Sequence, residues 1–304
     1  MENNPLVTVN ILSFNRKKEL EETIKKVFEQ DYKNIEVIIV DNASSDGTQE
    51  MIQAEYPDIK LIALYKNIGI SAWNFGVDES HAEFILFLDD DSYPEPGSIF
   101  AGVQALQNDE DIGVAGFEIF NSQLKKIENK EGLQFFKENK YSLGFIGCGA
   151  IIRKELFIKL NGFNKNIFLY HHEYDFSARV YNLGFRVVLI EGVRVVHNYS
   201  KTNRGKRASK NCVDERKYFY GFLSLAVFQI QNISLHFRLV YVIKLFISRF
   251  YIAVHLGLVK SYFKASSLIL KNIIRCKYDI DPLRRDVQKI YGNGNIKFND
   301  INEF

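Results

Sequence analysis

A chain of 304 residues, 46% hydrophobic and 25% charged, suits one large α/β domain with a smaller appendage and excludes a disordered polymer. The net charge of +2 hides an asymmetry: residues 200–285 carry 17 Lys/Arg against 4 Asp/Glu (+13), and the remainder carries 22 against 33 (−11). Three widely spaced cysteines, Cys148, Cys212 and Cys276, exclude a disulfide framework, show no metal-ligand spacing and fit a reducing cytoplasm.

Residues 1–8 lack a basic stretch followed by an apolar one, so no secretory signal is expected. Residues 7–14 (VTVNILSF) are a short apolar, β-branched run. Residues 16–30 then place Leu20, Ile24, Val27 and Phe28 at helical spacing. A second buried strand is predicted over 35–40, ending at Asp41, with Ser45 or Asp46 capping a helix that runs to Glu55. A strand over 59–64, a helix over 71–80 and a strand over 83–88 follow. This alternation predicts a parallel sheet covered on both faces, which binds ligands beyond the carboxyl ends of its strands. Ser13, Asp41 and the triplet Asp89-Asp90-Asp91 fall at those ends.

From Gly113 the pattern turns mixed. An apolar run covers 114–120, a polar stretch reaches Lys140, and glycine-rich residues fill 143–152. A helix is predicted over 173–183, then short strands over 185–190 and 193–197. Residues 201–210 (KTNRGKRASK) read as a basic linker at a domain boundary. Beyond it the chain is aromatic, basic and free of proline until Pro282, which predicts long helices, and the tail from Tyr291 is expected to fray.

Three carboxylates at the end of an apolar strand repel one another, and a cation among them relieves that cost. They are hard oxygen ligands of the kind Mg²⁺ or Mn²⁺ prefers, with positions left for phosphate oxygens; a solvated acidic turn is the plainer alternative. Asp41 holds the analogous place on the second strand, where a carboxylate accepts from a ribose hydroxyl or a base N–H, unless it only caps a helix. Asn67, Gly69, Asn74 and Gly76 bring amides and glycines to the third strand's exit, although Asn-x-Gly by itself marks a turn. Trp73 is either a stacking platform or a core residue.

The runs at 13–48 (SFNRKKELEETIKKVFEQDYKNIEVIIVDNASSDGT), 67–77 (NIGISAWNFGV) and 84–92 (FILFLDDDS) resemble the family two glycosyltransferases. So do GCGAIIRKELFIKLNGFNKNIF at 147–168 and HHEYDFSARVYNLGFRV at 171–187. The resemblance covers about residues 7–200 and implies the GT-A fold, an α/β, Rossmann-like, mostly parallel mixed sheet flanked by helices. A nucleotide-binding half would occupy about 1–112 and an acceptor-binding half about 113–200, with 201–304 a basic, amphipathic helical appendage. It further implies a nucleotide-diphosphate sugar donor, a divalent cation (Mn²⁺ or Mg²⁺) and an inverting displacement. The acceptor would be a glycan or lipid-linked glycan hydroxyl. The nearest likeness is to bacterial rhamnosyl- and galactofuranosyl-type transferases of surface polysaccharide synthesis, which implies a hexosyl or deoxyhexosyl transfer.

Residue by residue, the resemblance implies that Asp41 contacts the nucleoside and Asp91 the metal, with Asp89 or Asp90 serving ribose or metal. Ser13, Asn15 and Arg16 would line the nucleotide pocket, Asn67 and Asn74 would join them, and His197 would complete the metal's coordination; a hydrogen-bonded strand-end His is the equal alternative. The family's acidic motif commonly reads Glu-Asp-x-Asp followed by Arg. Here it reads His172-Glu173-Tyr174-Asp175 with Arg179, so Glu173 takes the catalytic-base position usually held by Asp. Asp175 is the second catalytic candidate, but its i, i+4 spacing to Arg179 favours a salt bridge. A sugar hydroxyl is a poor nucleophile, so a carboxylate within reach must take its proton.

Residues 235–275 contain no Asp or Glu. On one continuous helix, Arg238, Arg249, Lys260, Lys264, Lys271 and Arg275 would fall within roughly 100° of arc, with Lys244 outside it. That pattern predicts peripheral contact with an anionic membrane, at the inner face of the cell membrane. Packing on the catalytic domain or in a homo-oligomer is the alternative, and Gly257 marks a point of division into two helices. Nucleic acid is not expected, because the aromatics sit among aliphatics rather than on a stacking platform. A sugar-phosphate nucleotidylyltransferase would need a glycine-rich loop at 13–16. An inactive scaffold is disfavoured by the joint presence of Asp41, Asp91 and Glu173.

Overall fold

The computed structural model describes residues 4–128, 135–136, 141–198, 215–275 and 278–292. The expected linker at 201–210, Cys212, Cys276 and the tail beyond Gly292 lie outside the described residues.

The first half alternates β1 (Val7–Ser13), α1 (Lys17–Phe28), β2 (Ile35–Asp41), α2 (Thr48–Glu55) and β3 (Lys60–Ala63). A 3₁₀ turn (Gly69–Ala72) then opens the short α3 (Trp73–Asp78), and β4 (Phe84–Asp89) follows. Next come β5 (Ser92–Pro94), α4 (Ser98–Asn108), β6 (Ile112–Asn121), β7 (Lys126–Ile127), β8 (Phe135–Phe136), β9 (Tyr141–Ser142) and β10 (Ala150–Arg153). The half closes with α5 (Lys154–Lys159), α6 (His172–Asn182) and β11 (Arg186–His197). Four C-terminal helices complete the fold: α7 (Glu215–Asn232), α8 (Leu235–His255), α9 (Val259–Ile274) and α10 (Arg285–Gly292).

The strands form one mixed sheet in the order β3-β2-β1-β4-β10-β6-β11-β9-β8. β1 to β4 run parallel, β10 enters antiparallel between β4 and β6, and β11 runs parallel to β6. Both faces of β4 are covered, which explains its unbroken apolar run. Phe84, Leu86 and Leu88 point into the core shared with α1, α2 and α4, while Ile85 and Phe87 enter the core shared with α3, α5 and α6. Trp73 sits in the second core, edge-on to Phe87 with ring centroids 5.8 Å apart, so its reading as a core residue holds.

The two strands expected over 185–190 and 193–197 form a single β11. Its register with β6 shifts between Ile190 and Arg194, around Gly192 at φ +77°, so the irregularity bulges the strand without ending it. Tyr291 does not fray. Its ring is buried in α10 against Tyr174, with centroids 4.9 Å apart, and its hydroxyl donates to Leu143 O at 2.8 Å.

α7 packs against the acceptor half: Val227 joins the core of α5 and α6, and Ser224 Oγ donates to Leu169 O at 2.9 Å. α8 and α9 then pack on α7 through Leu245, Ala265 and Ile269. The single basic arc is overturned. Gly257, at φ +71°, divides residues 235–275 into two helices, and Arg249 lies among the buried residues of α8. No described helix is long and apolar enough to cross a membrane.

Candidate functional site

The parallel register sets the ends of β1, β2 and β4 side by side: Ser13 pairs with Asp41, and Leu12 with Asp89. Asp41 is fully buried, and its Oδ2 accepts from Ser44 N at 3.0 Å and Gln49 Nε2 at 2.7 Å. Its Oδ1, like Ser13 Oγ, is buried without a hydrogen-bond partner among the described residues. Two adjacent polar atoms left open in a buried place cost stability unless a ligand satisfies them. Asn15, at φ +53°, accepts from Ser45 N at 2.8 Å and donates its own N–H to Ser44 Oγ at 2.9 Å, so it ties the loops after β1 and β2 together.

The triplet is neutralised first from within the chain. Arg16 Nη1 lies 3.0 Å from Asp90 Oδ1 and 2.6 Å from Asp91 Oδ2, which turns this guanidinium onto the acidic residues. Burial works against the Arg16 charge, but Asp90, Asp91 and Asp89 outweigh it and raise its pKa. Burial lifts Asp90 to about 8 against the pull of Arg16. It lifts Asp89 to about 6, helped by the charge of Asp91.

β5 pairs with the end of β11, and this brings His197 opposite Ser92. His197 Nε2 then lies 3.0 Å from Asp91 Oδ1. Burial disfavours the imidazolium, yet the hydrogen bond to Asp91 and the neighbouring Glu128 raise His197 to about 9. Asp89, His197 and Cys148 each offer a donor atom, all within 4.8 Å of one another. A half-buried carboxylate converging with a buried imidazole and thiol fits a divalent cation of borderline softness better than Mg²⁺. Cys148 was passed over in the sequence because its spacing to the other cysteines is uninformative. Its position just before β10, the neighbour of β4, is what brings it here. Burial, then the charges of Asp89 and Asp91, push its thiol pKa well up.

Glu173 stands in the first turn of α6 with its side chain about one-fifth exposed. Oε1 accepts from Gly147 N at 3.2 Å, and His172 Nδ1 lies 3.0 Å from Oε2. A Cβ on Gly147 would meet His172 Nε2 at 2.7 Å, so only glycine leaves room for this pair. The approach to α6 is strained: Tyr170 and His171, neither of them glycine, are left-handed at φ +63° and +58°.

Asp175 is placed differently. It is fully buried, and Oδ2 takes a fork from Arg179 at 2.9 and 2.7 Å while Oδ1 accepts from Asn232 Nδ2 at 3.0 Å. Arg179 also donates to Leu160 O and Gly162 O at 2.7 and 3.0 Å. The structure therefore buries Asp175 behind its hydrogen bonds, while Glu173 stays partly exposed. Asn74 clasps the backbone of Phe163 through both amide atoms at 2.9 Å, and Asn67 Oδ1 accepts from Gly69 N at 2.9 Å and Asn42 Nδ2 at 3.1 Å. Both side chains thus hold loops beside the site. Gly69, at φ +74°, is the other glycine the site requires, since a Cβ there would lie 2.0 Å from Phe168 O.

Residues 8–160 match the family model described as glycosyl transferase family 2. The chain belongs to that family. An uncharacterized glycosyltransferase of Rickettsia typhi is 29% identical over 184 residues, 56% of this chain and 57% of that protein. The chain thus spans little more than half the length of that relative. A GalNAc(5)-diNAcBac-PP-undecaprenol beta-1,3-glucosyltransferase of Campylobacter jejuni is 36% identical over 92 residues, 29% of this chain and 30% of that protein. Among solved structures, a mannosyltransferase from Pyrobaculum calidifontis in complex with GDP-Man and Mn²⁺ aligns with TM-score 0.60 at 17% identity. It covers 97% of this chain and 85% of that one. The fold is therefore GT-A. The family match holds Ser13, Asp41, the triplet and Cys148, while Glu173 and His197 lie beyond its last residue.

Proposed function

We propose that this family 2 protein transfers a hexosyl or deoxyhexosyl unit from a nucleotide-diphosphate sugar to a hydroxyl of a glycan or lipid-linked glycan. The observation that carries the reading is Glu173. It is a partly open carboxylate fixed by Gly147 N–H, and its charge is among the causes that raise Asp89. Ser13 Oγ and Asp41 Oδ1 would satisfy the nucleoside. Asp89 and His197, with Asp91 behind the imidazole and Cys148 beside it, would hold a divalent cation, whose chemistry when bound is Lewis-acid stabilisation of the leaving diphosphate.

Glu173 takes the acceptor's proton as the acceptor oxygen bonds to the anomeric carbon and the bond to diphosphate breaks. One displacement at that carbon inverts its configuration. Asp175 keeps α6 in place through Arg179 and Asn232 and holds no proton for the reaction. The GDP-Man and Mn²⁺ of the Pyrobaculum enzyme support the donor and ion classes, and the undecaprenol-linked substrate in the Campylobacter relative's name supports a lipid-linked acceptor. Calorimetry with UDP-, dTDP- and GDP-sugars in Mn²⁺ tests the reading: one donor should bind, and it should bind less well without metal. Binding of none of them removes the transferase assignment.

A further inference from the structure

We infer that the outward faces of α8 and α9 dock on the surface of an anionic lipid bilayer. The two helices carry an outer layer that nothing in the described chain covers. On α8, Val240, Ile243, Ile247, Tyr251 and Val254 fall within roughly 80° of arc at 100° per residue. Leu245, Arg249 and Ala253 occupy the opposite, buried side. Ile247 is 65% and Tyr251 74% exposed, as a stripe meant for water would not be.

α9 presents a second stripe with its charge beside it. Phe263, Leu270 and Ile274 are exposed within roughly 60° of arc, and Lys260, Lys264, Lys271 and Arg275 fill the adjoining 60° or so. Phe263, Leu270 and Ile274 also line a shallow depression of about 480 Å³, to which Lys271 and Arg275 contribute their cations. An apolar stripe bordered by a row of cations is the form of a helix lying in the headgroup boundary, its stripe buried about 5–10 Å deep.

Charge selects the occupant. Residues 235–275 hold seven Lys/Arg and no Asp/Glu. In a two-fold dimer through this face, the same cations would meet one another with no acidic partner on either copy. Phosphate-bearing headgroups supply the missing anions, with each exposed Lys worth about fivefold in partition near such a surface. The inference does not depend on the sugar-transfer reading, since it concerns a surface whose binding is measured without donor or acceptor.

Flotation of the full chain with vesicles tests it, comparing phosphatidylcholine alone with phosphatidylcholine containing phosphatidylglycerol. Strong binding is expected only with phosphatidylglycerol, weakening as salt is raised. Lys260→Gln with Lys271→Gln should lower partition roughly 30-fold, from two charges at about fivefold each. Ile247→Ser with Tyr251→Ser changes exposed residues only and should also release the protein. Circular dichroism confirms that both variants remain folded. Equal binding to both vesicle types, binding unchanged by both variants, or no binding at all overturns the inference. A dimer in ultracentrifugation that the apolar variant dissociates, in a chain that ignores vesicles, assigns the face to a second copy instead.

Discussion

The acidic residues at the end of β4 and at the start of α6 are held in different ways. At the end of β4, burial lifts Asp89 to about 6 and Asp90 to about 8, even though Arg16 and the Phe14 N–H occupy both Asp90 oxygens. At the start of α6, Asp175 is more deeply buried than Glu173, yet Arg179 and Asn232 consume its oxygens. Carboxylates of one kind thus end in three settings: the triplet around Arg16, the partly exposed Glu173 and the fully hydrogen-bonded Asp175.

The sharpest way to break this comparison is at Glu173. Glu173→Gln should keep shape and donor affinity while turnover falls about 10²- to 10⁴-fold, read from initial rates beside calorimetric donor binding. A change of less than about threefold would move the base elsewhere. Asp175→Asn leaves the half-buried Arg179 against an uncharged partner and should lower stability by roughly 3 kcal/mol in denaturant melts, with turnover per folded molecule largely kept. The reverse pattern in the two variants would exchange their roles.

The open cluster has a pH signature of definite sign. Asp89 rises from 3.8 to about 6, and His197 from 6.5 to about 9. Both groups make the native state hold more protons than the unfolded chain. The His197 contribution is fully present below 6.5 and lost as pH rises through about 9, and the Asp89 contribution is present below 3.8 and lost as pH rises through about 6. Melting temperature in chelator should therefore fall as pH rises across this window. Mn²⁺ should flatten the slope by replacing the protons, and a melting temperature that climbs with pH in chelator would remove the argument. The smallest expected effect is at Cys148. Cys148→Ser should weaken Co²⁺ or Zn²⁺ binding by about tenfold while changing Mn²⁺ affinity less, and should abolish any thiolate-to-cobalt charge-transfer absorbance. An unchanged cobalt spectrum would exclude the thiol from the ligand set.

Sequence alone determined whatever depends on near neighbours. Continuous apolar runs such as EFILFL mark strands buried on both faces, and the polar residues that end them, Asp41 and Asp89, must stand where ligands of such sheets bind. The Asp175–Arg179 pair was equally legible, because i, i+4 residues share a helix face whatever the tertiary context. Only the tertiary structure could turn Arg16 onto Asp90 and Asp91, some 75 residues away in the chain. It alone set Cys148 beside His197, through the antiparallel entry of β10 and the pairing of β5 with β11. It also broke the basic arc, since Gly257 takes the positive φ that a continuous helix excludes and the packing of α8 on α7 buries Arg249. Periodicity fixes which side chains share a face, but which face is buried depends on contacts whose partners are distant in sequence.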